Sequence, residues 1–503
     1  MVHEWSATMV QPESLRFCTT KPRVFVLTDI SNESDDAESL VRYLLYNNEL
    51  ETEGLVACTS TWMRTKVDPE SIIQIIQAYG EVVDSLNCHV HPNNQYPSAD
   101  HLSSLVRTGT AMYGKAALED NVPLSEGAEL LVDRLADDAD DRPLWVLCWG
   151  GTNCLAQALQ HIHRTNDAED AAAMRSKLRI YAISDQDDTG YWIRLKWPDI
   201  FYICSVHGWN DYTHAAWTGM SAQVDGGGPD RTKLTKEWLK EHIQIGPFGK
   251  VYPDFKFIVE GDTPSFLYLI QNGLGSPEHP HFGSWGGRYN AIDLSLAGNH
   301  YSDATDTVLG KDGKWHTSSQ ATIWRWRDAY QNDFAARMQW TLTNDRMEAN
   351  HAPIASIDGS TGPDPLYMRV PAGSQVILDA SLSRDPHERA LKFRWFVYKE
   401  VSNASGLVAA QVPNINVEPC DWTNVGKMVK VQMPPPGKCA IDLLSGVPEE
   451  LGQCFHLILE VKNEGLPPLV SYKRVILQAT NEHLRGGRGK AVDSVTEWLE
   501  LGS

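Results

Sequence analysis

The sequence has no closely spaced cysteine pairs. Its nine cysteines are an odd number, are scattered between Cys18 and Cys454, and include no CxxC motif. A dense disulfide framework or a structural zinc site normally needs such pairs, so the sequence argues against both. Cysteines inside apolar runs, such as Cys148, are expected to be small buried side chains.

A long apolar run and a leader-like start are also missing. A membrane helix needs about 18 consecutive apolar residues, and residues 1–21 have no basic segment followed by an apolar core. The sequon at Asn32 lies in an acidic loop that we interpret as functional, and a glycan would block that loop. We therefore expect no membrane partner and a cytoplasmic protein, although a secreted chain without its leader would look the same.

Positive charge is scarce. The 44 Lys and Arg residues are outnumbered by 65 Asp and Glu residues, which gives a net charge of −21. Such a surface repels phosphates, so a nucleic acid polymer is not an expected partner. A small sugar, glycoside or nucleoside is compatible with this charge, and homo-oligomerisation is left open.

Tryptophan and tyrosine, in contrast, are abundant, with 17 of each in a chain of 503 residues. Aromatic rings stack on the apolar faces of sugars, although most Trp side chains in a protein of this size simply belong to the core. The length exceeds one ordinary hydrophobic core, so we expect two or three domains.

Apolar runs typical of buried strands alternate with amphipathic segments typical of helices. The strand segments are 24–27, 52–59, 144–148, 178–183 and 200–204, and the helical segments are 37–46, 71–84, 128–136 and 155–163. This alternation predicts an α/β fold with a mostly parallel sheet flanked by helices. Ligands bind at the carboxyl ends of such strands, so the polar loops that follow them should share one face.

The pattern changes near Asn350-His351-Ala352-Pro353, where short strands separated by turn residues begin. Regular short strands with frequent turns predict an all-β, Ig-like sandwich. The predicted organisation is an N-terminal arm (1–20), an α/β catalytic domain (21–348), the sandwich (349–482) and a C-terminal tail (483–503).

The loop from Thr28 to Ala37 concentrates acidic residues at the end of a predicted strand. Asp29, Glu33, Asp35 and Asp36 lie within eight positions, where unpaired carboxylates repel one another. A hard cation such as Ca²⁺, which prefers oxygen ligands, relieves that repulsion. Helix capping is the alternative, but it explains only one or two acids at a helix start. We therefore favour a metal site.

These motifs resemble a known family. The strand, Asp-rich loop and helix are similar to the N-terminal signature of nucleoside hydrolases, and more closely to a divergent branch, the Sde182-like proteins sometimes labelled cellulose-binding. The motifs that carry the resemblance are 26–36, Glu260-Gly261-Asp262-Thr263-Pro264-Ser265-Phe266, 283–289, 332–337 and 350–353. The resemblance spans about Arg23 to Ala479 and implies a nucleoside-hydrolase-like sheet followed by the Ig-like domain.

The resemblance implies a Ca²⁺ site formed by Asp29, Asp35, Asp36, the carbonyl of Thr152 and Asp333. In this family one loop acid is the general base; we assign Asp29 to that role, with Asp35 as the alternative. The loop is two residues longer than usual, which leaves the individual roles open. Thr152 is equally explained as a helix cap. A cap is also the alternative for Asp333, and Asp328 is a nearby competitor for its role. Many nucleoside hydrolases carry a His before the last ligand, whereas this chain has Asn332, which argues against a standard purine nucleosidase.

Further polar and aromatic residues are expected to bind the substrate. They are Asn32, Glu33, Trp62, Asp187, Trp192, Arg194, His281, Trp285 and Arg288. The loop that contains Asp187 would also be explained as a solvated acidic loop, and a single loop histidine is more often a surface residue.

Together these features favour a Ca²⁺-dependent, glycosidase-type hydrolase. It would cleave an N- or O-glycosidic bond of a sugar, a furanose among the options, through water bound to the metal and an Asp base. The alternative is a non-catalytic carbohydrate-binding protein, and the sandwich is also explained as a structural clamp.

Overall fold

The computed structural model describes residues 10–206, 211–293, 298–402, 412–421, 425–442 and 447–481. The chain forms two compact units. One comprises Phe17–Ile270 and Pro277–Ala349, and the other comprises Asn350 onward together with Gln271–Ser276 and the residues up to Arg16. The predicted C-terminal tail (483–503) and residues 1–9 of the predicted arm lie outside the described residues.

An eight-stranded sheet forms the centre of the first unit, with strand order β3-β2-β1-β4-β5-β6-β8-β7. Its strands are β1 (Arg23–Thr28), β2 (Glu51–Ala57), β3 (Val106–Thr108), β4 (Leu144–Cys148), β5 (Leu178–Ala182), β6 (Phe201–Cys204), β7 (Tyr289–Ala291) and β8 (His300–Asp303). All neighbouring pairs are parallel except β7 and β8, which are antiparallel at one edge. The predicted mostly parallel sheet is confirmed.

Helices surround the sheet in this unit. They are α1 (Asp35–Leu45), α2 (Pro69–Gly80), α3 (Val83–Cys88), α4 (Ala99–Ser104), α5 (Glu126–Ala136), α6 (Asn153–Thr165), α7 (Ala168–Ser176), α8 (Gly190–Lys196), α9 (Lys236–His242), α10 (Gly246–Gly249), α11 (Pro264–Leu267), α12 (Ala321–Trp324) and α13 (Arg327–Trp340). A hairpin of β9 (Asp306–Leu309) and β10 (Trp315–Ser318) precedes α12. No helix among the described residues is long and apolar enough to cross a membrane.

The alternation of side chains along β1 explains how both faces of the sheet are covered. Successive residues of a strand point to opposite faces, and every residue of β1 is buried. Phe25 and Leu27 belong to a core that also contains Leu131 of α5 and Leu155 of α6. A central strand buried on both sides is typical of parallel sheets, because the crossover helices lie on both faces.

The second unit is built from β-strands. They are β11 (Leu366–Pro371), β12 (Gln375–Asp379), β13 (Leu391–Val397), β14 (Asn416–Pro419), β15 (Met428–Gln432), β16 (Leu451–Asn463) and β17 (Val470–Thr480), and the described part of the unit also contains the short α-helix α14 (Pro436–Cys439). They form a four-stranded sheet, β11-β17-β16-β13, and a three-stranded sheet, β12-β15-β14. All pairs are antiparallel except β11 with β17. The predicted change to an all-β unit is confirmed, whereas its Ig-like character stays a prediction.

Candidate functional site

A pocket of about 550 Å³ lies at the carboxyl ends of the parallel strands. Its lining includes Asp29 just after β1, Trp149 just after β4, and Ile183 just after β5. This is the place where a parallel sheet normally binds ligands, because the loops that follow its strands converge there. The full lining is Asp29, Asn32, Glu33, Asp35, Asp36, Trp62, Trp149, Ile183, Ser184, Gln186, Tyr212, Thr213, Trp217, Thr218, Ala222, Gln223, Val224, Asp225, Phe257, Ile258, Gly261, Asp262 and Gln320.

The loop between β1 and α1 brings three of the lining acids together. The amide of Asn32 donates to the Asp29 carbonyl at 3.0 Å, and Ser31 adopts a positive φ of 81°. The chain therefore turns back at once, and α1 starts beside the end of β1. The Thr28 hydroxyl hydrogen bonds to the Asp36 carboxylate and accepts the Ile30 amide at 3.1 Å. Asp29 and the first turn of α1 consequently line the same pocket.

Asp262 is the fourth buried acid of this group, although it lies far away in sequence. One carboxylate oxygen from each of Asp35, Asp36 and Asp262 can be chosen so that all three lie within 4.8 Å of one another. Two ligands of one Ca²⁺ ion, each about 2.3–2.6 Å from the metal, are separated by at most about 5 Å. The three carboxylates are therefore close enough to hold a single metal ion.

Burial and like charge disfavour ionisation of all four carboxylates. Burial, together with nearby Glu33, raises the pKa of Asp29 to about 6. Burial, Glu33 and Asp29 raise the pKa of Asp35 to about 7. Burial and the neighbouring acids also raise the pKa values of Asp36 and Asp262 well above the usual range. Positive charge placed among these groups would offset the repulsion.

Two oxygens of the group also lack ordinary partners. Within the described part of the chain, Oδ2 of Asp29 and Oδ2 of Asp262 are buried without a hydrogen bond. No ion pair joins any of the four acids to a described Lys or Arg. Buried polar atoms are normally satisfied, so a hard cation could satisfy the Asp262 oxygen, whereas Asp29 lies outside the three carboxylates that can share one ion. The oxygen-only composition matches what Ca²⁺ or Mg²⁺ prefers.

A second buried network holds the segment that carries Asp262. Glu260 has a positive φ of 54°, and its amide donates to Glu38 of α1 at 3.0 Å. Its side chain pairs with Arg42 at 3.0 Å and accepts the Tyr252 hydroxyl at 2.9 Å. Glu38, Arg42 and Glu260 are fully buried. Helix α1 therefore supplies two acids of the pocket and also anchors the segment that supplies a third.

Glycine is required at position 261 in this arrangement. A Cβ at Gly261 would lie 2.8 Å from Oδ2 of Asp35 and 2.9 Å from Cδ1 of Ile258. Real Cβ atoms do not approach other atoms so closely, so any side chain would push the segment away from Asp35. The contact shows how tightly the two distant parts of the sequence meet.

Six of the predicted site residues line the pocket. They are Asp29, Asn32, Glu33, Asp35, Asp36 and Trp62. The structure therefore brings the whole acidic loop, together with one predicted aromatic residue, to one place.

Asp333 does not join this group. Its carboxylate accepts Nε of Arg337 at 2.8 Å and the Tyr46 hydroxyl at 2.6 Å, and it does not line the pocket. Asp262, rather than Asp333, lies close to Asp35 and Asp36. Asp262 was not among the predicted site residues, although the motif 260–266 was among those that carry the family resemblance. An acid placed between a glycine and the start of α11 was the available signal.

Thr152 and Asp187 contact each other and also lie outside the lining. The Thr152 carbonyl accepts the Ala156 amide at 2.9 Å, which places Thr152 at the start of α6, but its side chain makes no capping hydrogen bond. Asp187 accepts the amides of Asn153 at 3.0 Å and Thr189 at 2.8 Å. These contacts satisfy Asp187 and join the loops after β4 and β5.

Other predicted binding residues have structural partners elsewhere. Trp192 packs edge-on against Trp197. Arg194 forms a bidentate ion pair with Asp185, with Nη1 2.8 Å from Oδ1 and Nη2 2.6 Å from Oδ2. Both residues belong to α8, and neither lines the pocket. Ile193 of α8 belongs to the core and Trp192 packs against that core, so this helix packs inward.

The predicted loop residues His281, Trp285 and Arg288 do not line the pocket either. His281 is exposed, Trp285 is buried, and Arg288 pairs with buried Asp306 at 2.7 Å. Aromatic residues that were not predicted, Tyr212, Trp217 and Phe257, line it instead. They come from irregular segments without a strand or helix pattern that could have placed them.

Known proteins resemble both parts of the chain. Residues 23–289 match the family described as cellulose-binding Sde182, nucleoside hydrolase-like domain, and residues 375–479 match the C-terminal domain of cellulose-binding protein Sde0182. A nucleoside hydrolase-related hypothetical protein from Saccharophagus degradans, associated with carbohydrate metabolism, has a similar solved structure. It shares 28% sequence identity at a TM-score of 0.73, and the match covers 92% of this chain and 100% of that one.

More distant structures add no argument. The effector protein XOO4466 (11% identity, TM-score 0.29) and the type III effector protein XopQ complexed with adenosine diphosphate ribose (14% identity, TM-score 0.28) each align over 66% of this chain and 95% of their own. No curated protein matches the chain.

Proposed function

The chain belongs to the cellulose-binding Sde182 family with a nucleoside hydrolase-like domain, and from this membership we propose that it is a Ca²⁺-dependent hydrolase that cleaves an N- or O-glycosidic bond of a sugar. The observation that carries the proposal is the group of four buried acids at one pocket, two of which have an unpartnered oxygen. A protein that only held a sugar would not need to bury this much like charge, because hydroxyl groups can be bound by neutral amides and paired acids.

The geometry supports different roles for the four acids, with three of them binding the metal ion and one acting as the base. Asp35, Asp36 and Asp262 have oxygens close enough to hold Ca²⁺, which, when bound, would supply positive charge that lowers the pKa of water and orients sugar hydroxyls. Asp29 is left outside this set of three. A pKa of about 6 keeps Asp29 within reach of both protonation states near neutral pH, as a general base requires.

Hydrolysis at this site would consume one water molecule. Asp29 accepts a proton from the water as its oxygen bonds to the anomeric carbon. The bond from that carbon to the leaving oxygen or nitrogen breaks, and the leaving atom keeps the electron pair and takes up a proton from bulk water. Asp29 then returns the proton that it accepted to bulk water. Positive charge develops on the sugar ring in the transition state, and nearby carboxylates stabilise it.

A screen of chromogenic glycosides and of nucleosides, with and without Ca²⁺, tests this proposal. We expect Ca²⁺-dependent turnover of at least one glycoside by the wild type. Asp36→Asn should lose both calorimetric Ca²⁺ binding and turnover, and Asp29→Asn should keep Ca²⁺ binding while losing turnover. Asp133→Asn, a matched change at an exposed acid of α5, is the control. Equal turnover by wild type and Asp29→Asn would refute Asp29 as the base.

Carbohydrate binding without catalysis is the second candidate. The family description and the aromatic residues of the pocket, Trp62, Tyr212, Trp217 and Phe257, support it. Sugar binding that needs the acids, with no product released from any glycoside or nucleoside, would favour this alternative.

A further inference from the structure

Three aromatic residues form a continuous wall along one side of the pocket; we call Trp62, Tyr212 and Trp217 the aromatic wall. Burial raises the pKa of Tyr212, and the neighbouring Trp62 side chain offsets part of this rise. Tyr212 in turn packs edge-on against Trp217, with ring centroids 5.4 Å apart. The Trp217 indole donates to the Ser184 hydroxyl at 3.1 Å, which fixes its orientation.

The aromatic wall runs from solvent to the acids. Trp62 is 63% exposed, whereas Trp217 is only 8% exposed. A Cβ at Gly261 would lie 3.4 Å from Cζ3 of Trp217 and 2.8 Å from Oδ2 of Asp35, so these two side chains border the same residue. A sugar held at the acids would therefore lie next to Trp217, and a ring attached to that sugar would lie nearer Tyr212 and Trp62.

The mouth of the pocket exposes more aromatic surface than folding requires. Phe257, which also lines the pocket, is 81% exposed. Large aromatic side chains grouped at the mouth of a cavity are typical of ligand sites rather than of ordinary protein surface.

The charges of the pocket select against anionic ligands. Among the described lining residues, six are acids and none is Lys, Arg or His; the acids are Asp29, Glu33, Asp35, Asp36, Asp225 and Asp262. The nearby cation Lys256 interacts with Glu33. Even with one bound divalent cation, a phosphate group would meet an excess of negative charge. An uncharged ligand avoids this repulsion.

We infer that Trp62 and Tyr212 form a subsite for a second, uncharged sugar ring, so that the substrate is a neutral glycoside whose leaving group is a sugar. This inference rests on the proposed function and deepens it. A β-linked glucosyl disaccharide is a suitable probe, because its equatorial hydroxyls leave C–H groups on both ring faces, where an aromatic ring can stack. Phosphorylated sugars are correspondingly poor ligands.

Calorimetric titration of the full-length wild type in Ca²⁺ tests the subsite, with glucose, cellobiose, cellotriose, adenosine and glucose 1-phosphate as probes. We expect cellobiose to bind at least about tenfold more tightly than glucose, which is about 1.4 kcal/mol. Trp62→Ala should remove this gain and Trp62→Phe should keep most of it. Trp315→Ala is the matched control, because Trp315 is 70% exposed but lies on the β9–β10 hairpin, outside the pocket.

The subsite is wrong if cellobiose binds no more tightly than glucose, if Trp62→Ala and Trp315→Ala behave alike, or if adenosine or glucose 1-phosphate binds as tightly as cellobiose. Product analysis of the same mixtures separates this result from the proposed function. Cellobiose that binds through Trp62 and stays intact, in a chain that cleaves no other glycoside, contradicts hydrolysis and leaves the subsite standing. Glycoside cleavage that is insensitive to Trp62→Ala contradicts the subsite alone.

Discussion

Two sets of buried acids in the α/β unit have opposite surroundings. In the pocket, Asp29, Asp35, Asp36 and Asp262 form no ion pair with any described Lys or Arg, and two of them keep an unpartnered oxygen. Elsewhere in the unit, each acid of a second buried set forms an ion pair with an arginine. Asp185 pairs with Arg194, Asp306 with Arg288 and Arg325, and Asp333 with Arg337.

Whether a buried acid has a cationic partner distinguishes structural acids from functional ones better than the residue type does. A buried acid with a full set of partners stabilises the fold, and its removal would leave a buried cation without a partner. A group of buried acids without cations works against folding until a positive ligand arrives, and such arrangements are concentrated at functional sites. The same reasoning explains why Asp333 was a reasonable candidate in the sequence but not in the structure.

The largest effect is expected where a paired acid is removed. Asp333→Ala would leave the buried Arg337 guanidinium without its i,i+4 partner, although Glu49 also pairs with it. We expect a loss of about 3–5 kcal/mol in the free energy of unfolding, measured by urea denaturation. A loss below about 1 kcal/mol would mean that the ion pair is not structural and would weaken the comparison.

Asp262→Asn should stabilise the metal-free protein, in contrast to the destabilising Asp333→Ala. Loss of one of three clustered carboxylates should reduce Ca²⁺ affinity by about a hundredfold, about 2.7 kcal/mol, in calorimetric titration. Without metal, the variant should unfold at a higher temperature than wild type at pH 8, because a buried like charge has been removed. Destabilisation of the metal-free protein would show that Asp262 belongs with the paired acids.

Stability of the metal-free protein should depend on pH through the unpaired set. The folded-state pKa of Asp35, about 7, lies above the unfolded value near 3.9. The folded state therefore binds more protons between about pH 4 and 7, and stability falls as pH rises through this window. Asp35→Asn should reduce this pH-dependent loss in the free energy of unfolding by about 2 kcal/mol. The full pKa shift of Asp35 corresponds to a larger value, but solvent in the pocket screens the charge.

Saturating Ca²⁺ supplies the control for the pH experiment. Because the cation favours the ionised carboxylates, the fall in stability with rising pH should disappear in Ca²⁺. An identical pH dependence in wild type and Asp35→Asn, each without metal, would contradict the prediction.

The smallest effect is expected at Glu38. Burial and the neighbouring Glu260 raise the Glu38 pKa to about 9, so this side chain is neutral near pH 7. Glu38→Gln keeps an oxygen that can accept the Glu260 amide and should change stability by less than about 0.5 kcal/mol. Glu38→Leu removes the acceptor and should cost about 1–3 kcal/mol. Equal effects of the two changes would mean that the Glu260 amide does not need this acceptor.

Much of the fold could be predicted because its signals are local. The apolar run of β1, the acidic loop after it and the amphipathic α1 are consecutive in sequence, and a buried strand followed by a helix requires a parallel arrangement. The acids of that loop were found for the same reason, since one tight turn holds them together. Cys148, expected to be a small buried side chain, is indeed fully buried in β4.

The partners that come from distant segments could not be predicted in this way. Asp262 lies just before α11 and Asp333 lies in the middle of α13, and no local pattern says which of them will meet Asp35. Nor does the sequence reveal that Arg337 lies within reach of Asp333, because an i,i+4 spacing also suits an exposed surface pair.

By itself, the sequence determined the parallel sheet, the change to an all-β unit after Asn350 and the crowding of acids at the end of β1, because each depends on neighbouring residues. Only the tertiary structure decided which buried acids are neutralised and which are left unpaired. That choice depends on long-range packing, chiefly on Glu38 and Arg42 of α1 anchoring Glu260 so that Asp262 reaches the pocket. The free energy of a buried charge is set by the groups around it in space, and these groups come from all parts of the chain.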